Sequence, residues 1–406
     1  MRTEDLYKEK KDCCGCELCA QLCPRGVIQM EEDQEGFLYP KIISGSTCIN
    51  CNKCIRICPM KSPGRPGNRI ESSFCYSLSN ESDLKKSASG GLATGICREF
   101  INRGGVVYGV TFSHDFMEVT YKKAISLDEL ESFRGSKYVQ ARKRDVYSLV
   151  KNDLHENKDV LFIGLPCEVS ALYHAVGKNI EHLYTISLIC HGPTSLKVHR
   201  DYCNSIIEQY DAKMSFFSVR YKNNGWKPYY VHAEFENGNN YNEVWNKSDY
   251  GVAFLYLKRP SCSSCQYKAE DIEFGLQSDL TIGDFHGVHI QSQQYYNPWG
   301  VSQGSIQTGK GKYLASLIGN EYLSREIPYS VIKLSNRGLF VAIPQRWNRK
   351  IFVKDYLEKN LHFAAHSNIV KLTETGLTIR DQLLRIRSIR RKIHGLLLII
   401  KNTFSK

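Results

Sequence analysis

The chain has 406 residues, with 54 Lys and Arg against 42 Asp and Glu, a formal charge of +12 and 16 cysteines. That length allows two or three further units, each with a core of its own, beyond any small motif. No stretch approaches about eighteen unbroken apolar residues, and the N-terminus lacks a basic-then-apolar signal segment, so we expect no membrane-spanning helix and a cytoplasmic protein.

Two cysteine runs of the same spacing come first in the chain. They are Cys13-x2-Cys16-x2-Cys19-x3-Cys23-Pro24 and Cys48-x2-Cys51-x2-Cys54-x3-Cys58-Pro59. This spacing is typical of a bacterial two-cluster ferredoxin, in which the fourth cysteine of each run binds the other cluster. The predicted ligand sets of the two [4Fe-4S] clusters are therefore Cys13, Cys16, Cys19 and Cys58, and Cys48, Cys51, Cys54 and Cys23.

Zinc is the alternative for a cysteine quartet, but zinc sites more often show paired Cys-x2-Cys knuckles. Cys14 is predicted to be spare, because its side chain must point away from its ligand neighbour. Cluster thiolates need a reducing compartment, which agrees with a cytoplasmic location. A cluster with its thiolates carries roughly two negative charges, so the formal charge of +12 does not indicate nucleic-acid binding.

A boundary is predicted near residue 65, where residues 61–68 are turn formers. The loop at 87–91, Ser-Ala-Ser-Gly-Gly, then opens an apolar helix, which Gly104-Gly105 ends before a strand at 106–110. Such a loop presents backbone N–H groups to phosphate, or is a plain serine N-cap. Residues 133–140 again place polar and cationic groups around a glycine, which alone is also consistent with a solvated turn.

Residues 160–163 and 184–189 are apolar runs joined by a helical stretch, which predicts a parallel β-α-β unit. Cys167 and Cys190 follow these two strands, at the edge where open α/β sheets bind ligands. With the loop pair Cys262-x2-Cys265 they supply four ligands for a third [4Fe-4S] cluster. The alternative is that Cys167 and Cys190 are small buried hydrophobes.

The remaining chemistry-bearing residues have less context. His191, Asp284 and His286 follow strands and are candidates for proton transfer, although a lone loop histidine is more often structural. Cys75, Cys97 and Cys203 have no partner spacing and are predicted to pack in the core.

Aromatic-rich alternation from about 216 to 244 predicts antiparallel hairpins, followed by a strand at 302–308 and a helix at 310–318. Residues 380–406 combine eight Lys or Arg with one acid and apolar residues between them. Such a helix can lie on an anionic membrane surface, at the inner face of the cell membrane, or dock on protein. The fold class is therefore α/β (α+β), with a small two-cluster domain ahead of a mixed core.

The motif order resembles the beta subunit of coenzyme F420-reducing hydrogenases and dehydrogenases. The resemblance rests on the dicluster runs, Ser-x-Ser-Gly-Gly, Phe-Arg-Gly-Ser-Lys-Tyr, Gly-Leu-Pro-Cys, Ile-Cys-His-Gly, Cys-x2-Cys-x-Tyr and Ile-Gly-Asp-Phe, over residues 10–320. It implies a flavin-binding core and FAD, with contacts from Ser89, Gly90, Gly91, Lys137 and Gln140. Glu168 and His286 stand where glutamine and an aromatic residue, commonly tryptophan, are more usual, so the substrate, coenzyme F420 or another small molecule, stays open.

We therefore expect a FAD-dependent iron-sulfur oxidoreductase that exchanges electrons with ferredoxin or another redox carrier or subunit. A non-catalytic electron-relay subunit is the alternative, and a peripheral-membrane redox protein linked to surface-polysaccharide synthesis is a further one. The expected domains are the dicluster domain at 1–66, two parts of the core at 67–170 and 171–345, and a helical basic tail at 346–406.

Overall fold

A computed structural model describes residues 3–271, 273–319 and 325–373. The chain divides into two compact units, residues 1–345 and residues 346–406. The predicted basic segment 380–406, with its membrane contact, lies outside the described residues.

The described strands are β1 (Ile28–Glu32), β2 (Leu38–Ile42), β3 (Ser72–Tyr76), β4 (Val106–Phe112), β5 (Val119–Ala124), β6 (Val160–Gly164), β7 (Leu183–Leu188), β8 (Met214–Tyr221), β9 (Tyr230–Phe235), β10 (Asn240–Val244), β11 (Leu280–Asp284) and β12 (Ser302–Ile306). The helices are α1 (Thr3–Leu6), α2 (Leu18–Gln21), α3 (Lys53–Arg56), α4 (Glu81–Lys86), α5 (Leu92–Asn102), α6 (Leu127–Glu131), α7 (Val146–His155), α8 (Pro166–Val176), α9 (Leu196–Tyr210), α10 (Asp249–Tyr256), α11 (Val288–Gln291), α12 (Gly309–Ser316), α13 (Tyr329–Ser335), α14 (Arg337–Phe340), α15 (Arg349–Glu358) and α16 (Leu361–Ala365).

A seven-stranded sheet organises the first unit, with strand order β3-β12-β11-β7-β6-β4-β5. Its four central strands, β11, β7, β6 and β4, run parallel, and β12, β3 and β5 add antiparallel edges. The predicted β-α-β unit is confirmed as β6, α8 and β7. The strand that carries Asp284 belongs to the same sheet, and the fold is of the mixed α/β class.

Alternation along the central strands builds two hydrophobic layers, because successive side chains point to opposite faces of a sheet. On β6, Phe162 belongs to one layer and Leu161 to the other. The layer of Phe162 also contains Cys14, Cys16 and helix α8 residues such as Val169. The first cysteine run therefore packs against the core sheet as part of the same unit.

The predicted hairpins are confirmed as the antiparallel sheet β8-β9-β10, and the strand and helix predicted at 302–308 and 310–318 are β12 and α12. Strands β1 and β2 form a separate hairpin between the two cysteine runs. Within the described part of the chain, no helix has the length and apolar character needed to cross a membrane. In the second unit, α15 and α16 pack on each other, and Asn348 Nδ2 donates to Thr373 Oγ1 at 2.9 Å.

Candidate functional site

The two cysteine runs adopt the same local backbone. Gly15 and Asn50 occupy equivalent places ahead of the second cysteine of each run, and both have positive φ, +67° and +52°. Glu17 and Asn52 follow that cysteine, again with positive φ, 63° and 56°, and each starts a one-turn helix, α2 or α3. The repeat seen in the sequence is thus also a repeat of conformation, as two matching cluster loops require.

The structure brings Cys23, Cys48, Cys51 and Cys54 together around one small cavity. This is the predicted second ligand set, hereafter the outer quartet. Cys51 is exposed, and the adjacent Ile49 is 56 % exposed. The outer quartet therefore lies at the protein surface.

The predicted first set, Cys13, Cys16, Cys19 and Cys58, also converges and is called the inner quartet. Burial raises the pKa of Cys19, and the nearby Cys13 and Cys58 raise it further. Burial likewise raises the pKa of Cys58 to about 12. Buried thiols of this kind ionise only if a cation or metal offsets the charge, which is what an iron-sulfur centre does. The donor set therefore fits a cluster.

The two quartets are adjacent. Cys54 of the outer quartet is close enough to Cys19 of the inner quartet to contribute to the raised pKa of that thiol. The crossing of the fourth cysteine, Cys58 to the inner set and Cys23 to the outer one, produces this closeness. Electron exchange between neighbouring centres needs such an arrangement.

The four cysteines predicted for a third cluster gather at the carboxyl ends of β6 and β7. Burial raises the pKa of Cys262, and the nearby Cys190 and Cys265 add to that effect. Cys265 also contributes to the raised pKa of Cys167, which stands in the first turn of α8. The backbone N–H of Gly192 donates to Cys190 Sγ at 3.3 Å. We call Cys167, Cys190, Cys262 and Cys265 the sheet-edge group.

Cys14, predicted to be spare, lies between the inner quartet and the sheet-edge group. Hydrogen bonds with Cys16 and with Cys167 lower the pKa of the Cys14 thiol well below its ordinary value, against the effect of burial. Its thiol faces Cys16 of the inner quartet and Cys167 of the sheet-edge group. Local spacing carries no signal for this contact, because the partner Cys167 lies on α8, far along the chain.

His191, Asp284 and His286 come together beside the sheet-edge group. Burial lowers the pKa of His191 to about 4, helped by Lys258 and Lys268, while Asp284 acts in the opposite sense. Its ring lies on Gly338, where an added Cβ would come within 2.2 Å of the ring atoms. Burial also lowers the pKa of His286. Both imidazoles are therefore neutral near pH 7.

Arg220, which the sequence reasoning missed, holds this site together. Its guanidinium donates to Asp284 Oδ2 at 2.8 Å, to Tyr138 Oη at 2.6 Å and to the carbonyl of Ala88 at 2.8 Å. Burial opposes ionisation of Asp284, but Arg220 and His286 still leave its pKa lowered. Arg220 is a charged residue at a buried position of β8, where the alternating pattern leads one to expect an apolar side chain. That exception is the signal by which the sequence could have indicated Arg220.

The five predicted FAD contacts are each engaged by the protein itself. Ser89 Oγ donates to Val301 O at 2.8 Å, and a Cβ on Gly90 would lie 2.1 Å from Tyr76 O. Gly91, with φ +78°, is the N-cap of α5. The arginine of β8 contacts both this loop and the segment 133–140, so the two segments lie near each other.

Lys137 and Gln140 are both buried and both donate to backbone carbonyls. The Lys137 ammonium donates to four carbonyls of its own loop, those of Ser132, Phe133, Arg134 and Gly135. Burial lowers its pKa to about 7. Gln140 Nε2 donates to the carbonyls of Cys14 and Gly15 at 2.9 and 3.2 Å. This side chain therefore supports the inner quartet.

Glu168 is one of the two residues at which the sequence differs from the resembled family. Its carboxylate lies 2.7 Å from Lys143 Nζ and accepts from Tyr121 Oη at 2.6 Å, and the Lys143 and Glu168 side chains are 0 % and 3 % exposed. The acid is thus one half of a buried ion pair next to Cys167. Cys75, Cys97 and Cys203 are buried, as predicted.

The comparisons with known proteins agree with this geometry. Residues 157–324 match a family described as the C terminus of the coenzyme F420 hydrogenase/dehydrogenase beta subunit, and residues 12–62 match the 4Fe-4S dicluster domain. The chain therefore carries a segment similar to a dicluster domain, followed by a segment similar to the C terminus of that beta subunit. The resemblance seen in the sequence is confirmed, and both matched descriptions agree with an iron-sulfur protein that transfers electrons.

One solved structure similar to this beta-subunit-like protein is a chain from the xenon-derivatised F420-reducing [NiFe] hydrogenase complex of Methanosarcina barkeri. The two share 18 % identity over 73 % of this chain and 91 % of that chain, with a TM-score of 0.43. A likeness at that level carries no functional argument. The curated proteins contain no match to the chain.

Proposed function

We propose that this protein is an iron-sulfur flavoprotein oxidoreductase that moves electrons between [4Fe-4S] clusters, FAD and a two-electron partner, coenzyme F420 or another small substrate. One observation carries the proposal: the outer quartet, the inner quartet and the sheet-edge group succeed one another from the surface to the histidine-lined edge of the sheet. In this scheme the outer quartet at the surface is the electron port. Its redox partner is a ferredoxin, a similar carrier or another polypeptide of a complex.

Clusters bound at these thiols supply one-electron steps, and a flavin would connect them to a two-electron reaction. The chain's own contribution is polar and ionic. Arg220 orients Asp284, and neutral His191 and His286 can accept or donate a proton at the same place. Lys227, Lys258 and Lys268 add positive charge around these groups, which favours an anionic ligand. FAD rests on the family resemblance and on this charge, and its contacts with Ser89, Gly90, Gly91, Lys137 and Gln140 stay a prediction.

The domain scheme is part of the proposal. Residues 1–66 serve as the dicluster domain, 67–170 and 171–345 as the two parts of the core, and 346–406 as a tail. Both cysteine runs lie in the first segment and the sheet-edge group in the next two, so electron entry and substrate chemistry belong to different segments.

Anaerobic purification tests the cofactors. We expect about eight iron and eight sulfide per chain for two clusters, about twelve for three, and one releasable flavin. Cys262→Ser should lower the iron content by about four per chain, whereas Cys203→Ala, at a buried cysteine outside these groups, should leave it unchanged. Zinc in place of iron, with no flavin, would end the proposal. Stopped-flow reduction by candidate hydride donors, followed at the flavin absorbance, then tests the two-electron partner.

An electron-relay subunit is the second candidate, and a specific surface favours it. Ile290 and Leu334 are 79 % and 78 % exposed, on α11 and α13, and Ser335 Oγ lies 3.5 Å from Gln291 Oε1 where these helices meet. Because α11 begins directly after Gly287, this apolar surface adjoins His286. A relay subunit would bury it against the catalytic polypeptide. Flavin reduction by a small hydride donor without any partner protein would reject the relay.

A further inference from the structure

Arg259 is a fully buried arginine that joins the inner quartet to the sheet-edge group. Its side chain is 1 % exposed and directly precedes the 3-10 turn Pro260–Ser264 that carries Cys262. Nε donates to the carbonyl of Cys13 at 2.8 Å, and Nη2 lies 3.5 Å from Cys13 Sγ. Nη2 also donates to Leu38 O at 2.9 Å, and Nη1 donates to Gln140 Oε1 at 2.8 Å.

No carboxylate among the described residues pairs with this guanidinium. Its polar partners are carbonyl oxygens, an amide oxygen and a sulfur, and its guanidinium carbon lies 4.3 Å from the centre of the Tyr39 ring. A buried arginine stays charged and needs nearby negative charge. The groups that can supply it are the thiolates of Cys13, Cys14 and Cys262, all within electrostatic range.

Gly15 and Gln140 hold the Arg259 guanidinium beside Cys13. A Cβ on Gly15, whose φ is +67°, would lie 2.6 Å from both Arg259 Nη1 and Gln140 Nε2. Glycine is therefore required inside the first cysteine run if the arginine and its amide partner are to fit. Gln140 binds Arg259 through its oxygen and the Cys14 and Gly15 carbonyls through its nitrogen, so it locks the arginine to the cluster loop.

We propose that Arg259 is the counter-ion of the inner-quartet cluster and raises its reduction potential, so that electrons collect there before they reach the sheet-edge group. The physical reason is that reduction adds a negative charge, which a buried cation and an N–H···S contact stabilise. Outer contacts of this kind tune metal centres, and their loss typically costs about 10–100-fold in metal affinity or activity. This inference rests on the proposed function, since it requires a cluster at Cys13, Cys16, Cys19 and Cys58.

Redox titration of the anaerobically purified full chain, followed by electron paramagnetic resonance, tests the proposal. In Arg259→Gln, the ratio of reduced to oxidised cluster at a fixed poise should fall at least tenfold for one cluster, which is about 59 mV for a one-electron couple. The other clusters should move less. Arg259→Lys keeps the charge and should change that ratio by less than about threefold, about 30 mV.

Arg200→Gln is the matched control, because Arg200 pairs with Glu32 of the N-terminal hairpin at the surface. This variant should leave the midpoint potential of every cluster unchanged. An Arg259→Gln protein with full iron content and unshifted midpoints would overturn the inference.

If Arg259→Gln does not assemble its clusters, the variant Gln140→Glu provides the test instead. That substitution places a carboxylate on Nη1 and offsets the cation, so the same midpoint should fall, and an unchanged midpoint would refute the role of Arg259. A wild-type protein that gives no iron-sulfur signal after chemical reduction would instead overturn the proposed function itself.

Discussion

The ion pair between Lys143 and Glu168 offers a direct test of how the chain tolerates charge next to the sheet-edge group. Glu168→Gln keeps the shape and an acceptor for Tyr121 but leaves Lys143, 0 % exposed, without its carboxylate partner at 2.7 Å. Removal of one member of a buried pair typically costs about 3–5 kcal/mol. We expect about 3 kcal/mol here, because the Ala141 carbonyl still accepts from Lys143 at 2.8 Å and Glu17 remains nearby.

Urea unfolding of the anaerobically purified protein, followed by far-ultraviolet circular dichroism, measures this loss. The double variant Lys143→Met/Glu168→Gln should recover most of it, because no charge is then left buried and unpaired. Glu118→Gln is the control, since the pair of Glu118 with Arg144 is 24 % and 58 % exposed and should contribute under about 1 kcal/mol. If Glu168→Gln and Glu118→Gln cost the same, the buried pair does not have the assigned role.

Two further predictions concern pH and salt. The pKa of His199 is lowered by burial to about 4 from the ordinary 6.5, and its only hydrogen-bonded ring nitrogen, Nε2, donates to Phe116 O at 2.6 Å. The unfolded chain therefore takes up the proton first, so the stability present above pH 6.5 is lost as the pH falls toward 4. Proton uptake by this residue alone should lower the free energy of unfolding by about 2 kcal/mol between pH 7 and pH 5. His199→Gln should remove that part of the pH dependence in urea unfolding at the two pH values, and an unchanged dependence would contradict the assignment. Arg25, Lys53 and Arg56 flank the outer quartet and make no ion pair with a carboxylate of the described residues, so reduction by an acidic ferredoxin should slow severalfold as ionic strength rises. Stopped-flow rates that do not change with salt concentration, or that are the same in Lys53→Glu as in the wild type, would place the electron port elsewhere.

The elements that the sequence predicted were those set by local pattern. The β-α-β unit, the hairpins and both cysteine quartets follow from periodicity and spacing, which need no knowledge of distant residues. The same holds for Cys167, Cys190, Cys262 and Cys265, because the carboxyl ends of neighbouring parallel strands meet at one edge. Local pattern was enough to locate the places where the thiols gather.

Contacts made by single polar side chains with distant parts of the chain could not be predicted from local sequence pattern. Gln140 binds the carbonyls of Cys14 and Gly15, more than a hundred residues earlier in the chain, and its contact with a flavin stays a prediction. Arg259 contacts Cys13 across 246 positions. No periodicity marks such a partner, since one long polar side chain in a loop fits many patterns, and only the packed structure selects its acceptor.

The distribution of buried cations also changes the meaning of the formal charge. Arg259 faces thiolates, Lys143 faces Glu168, and Lys137 and Lys222 are buried with pKa values lowered to about 7. These groups count toward the +12 of the sequence, yet they add little to the field that an approaching molecule meets. These four cations therefore balance sulfur, carboxylate and backbone oxygen in the interior, and residues 380–406 alone hold eight Lys or Arg against one acid, so the formal charge is a poor measure of the field around the outer quartet.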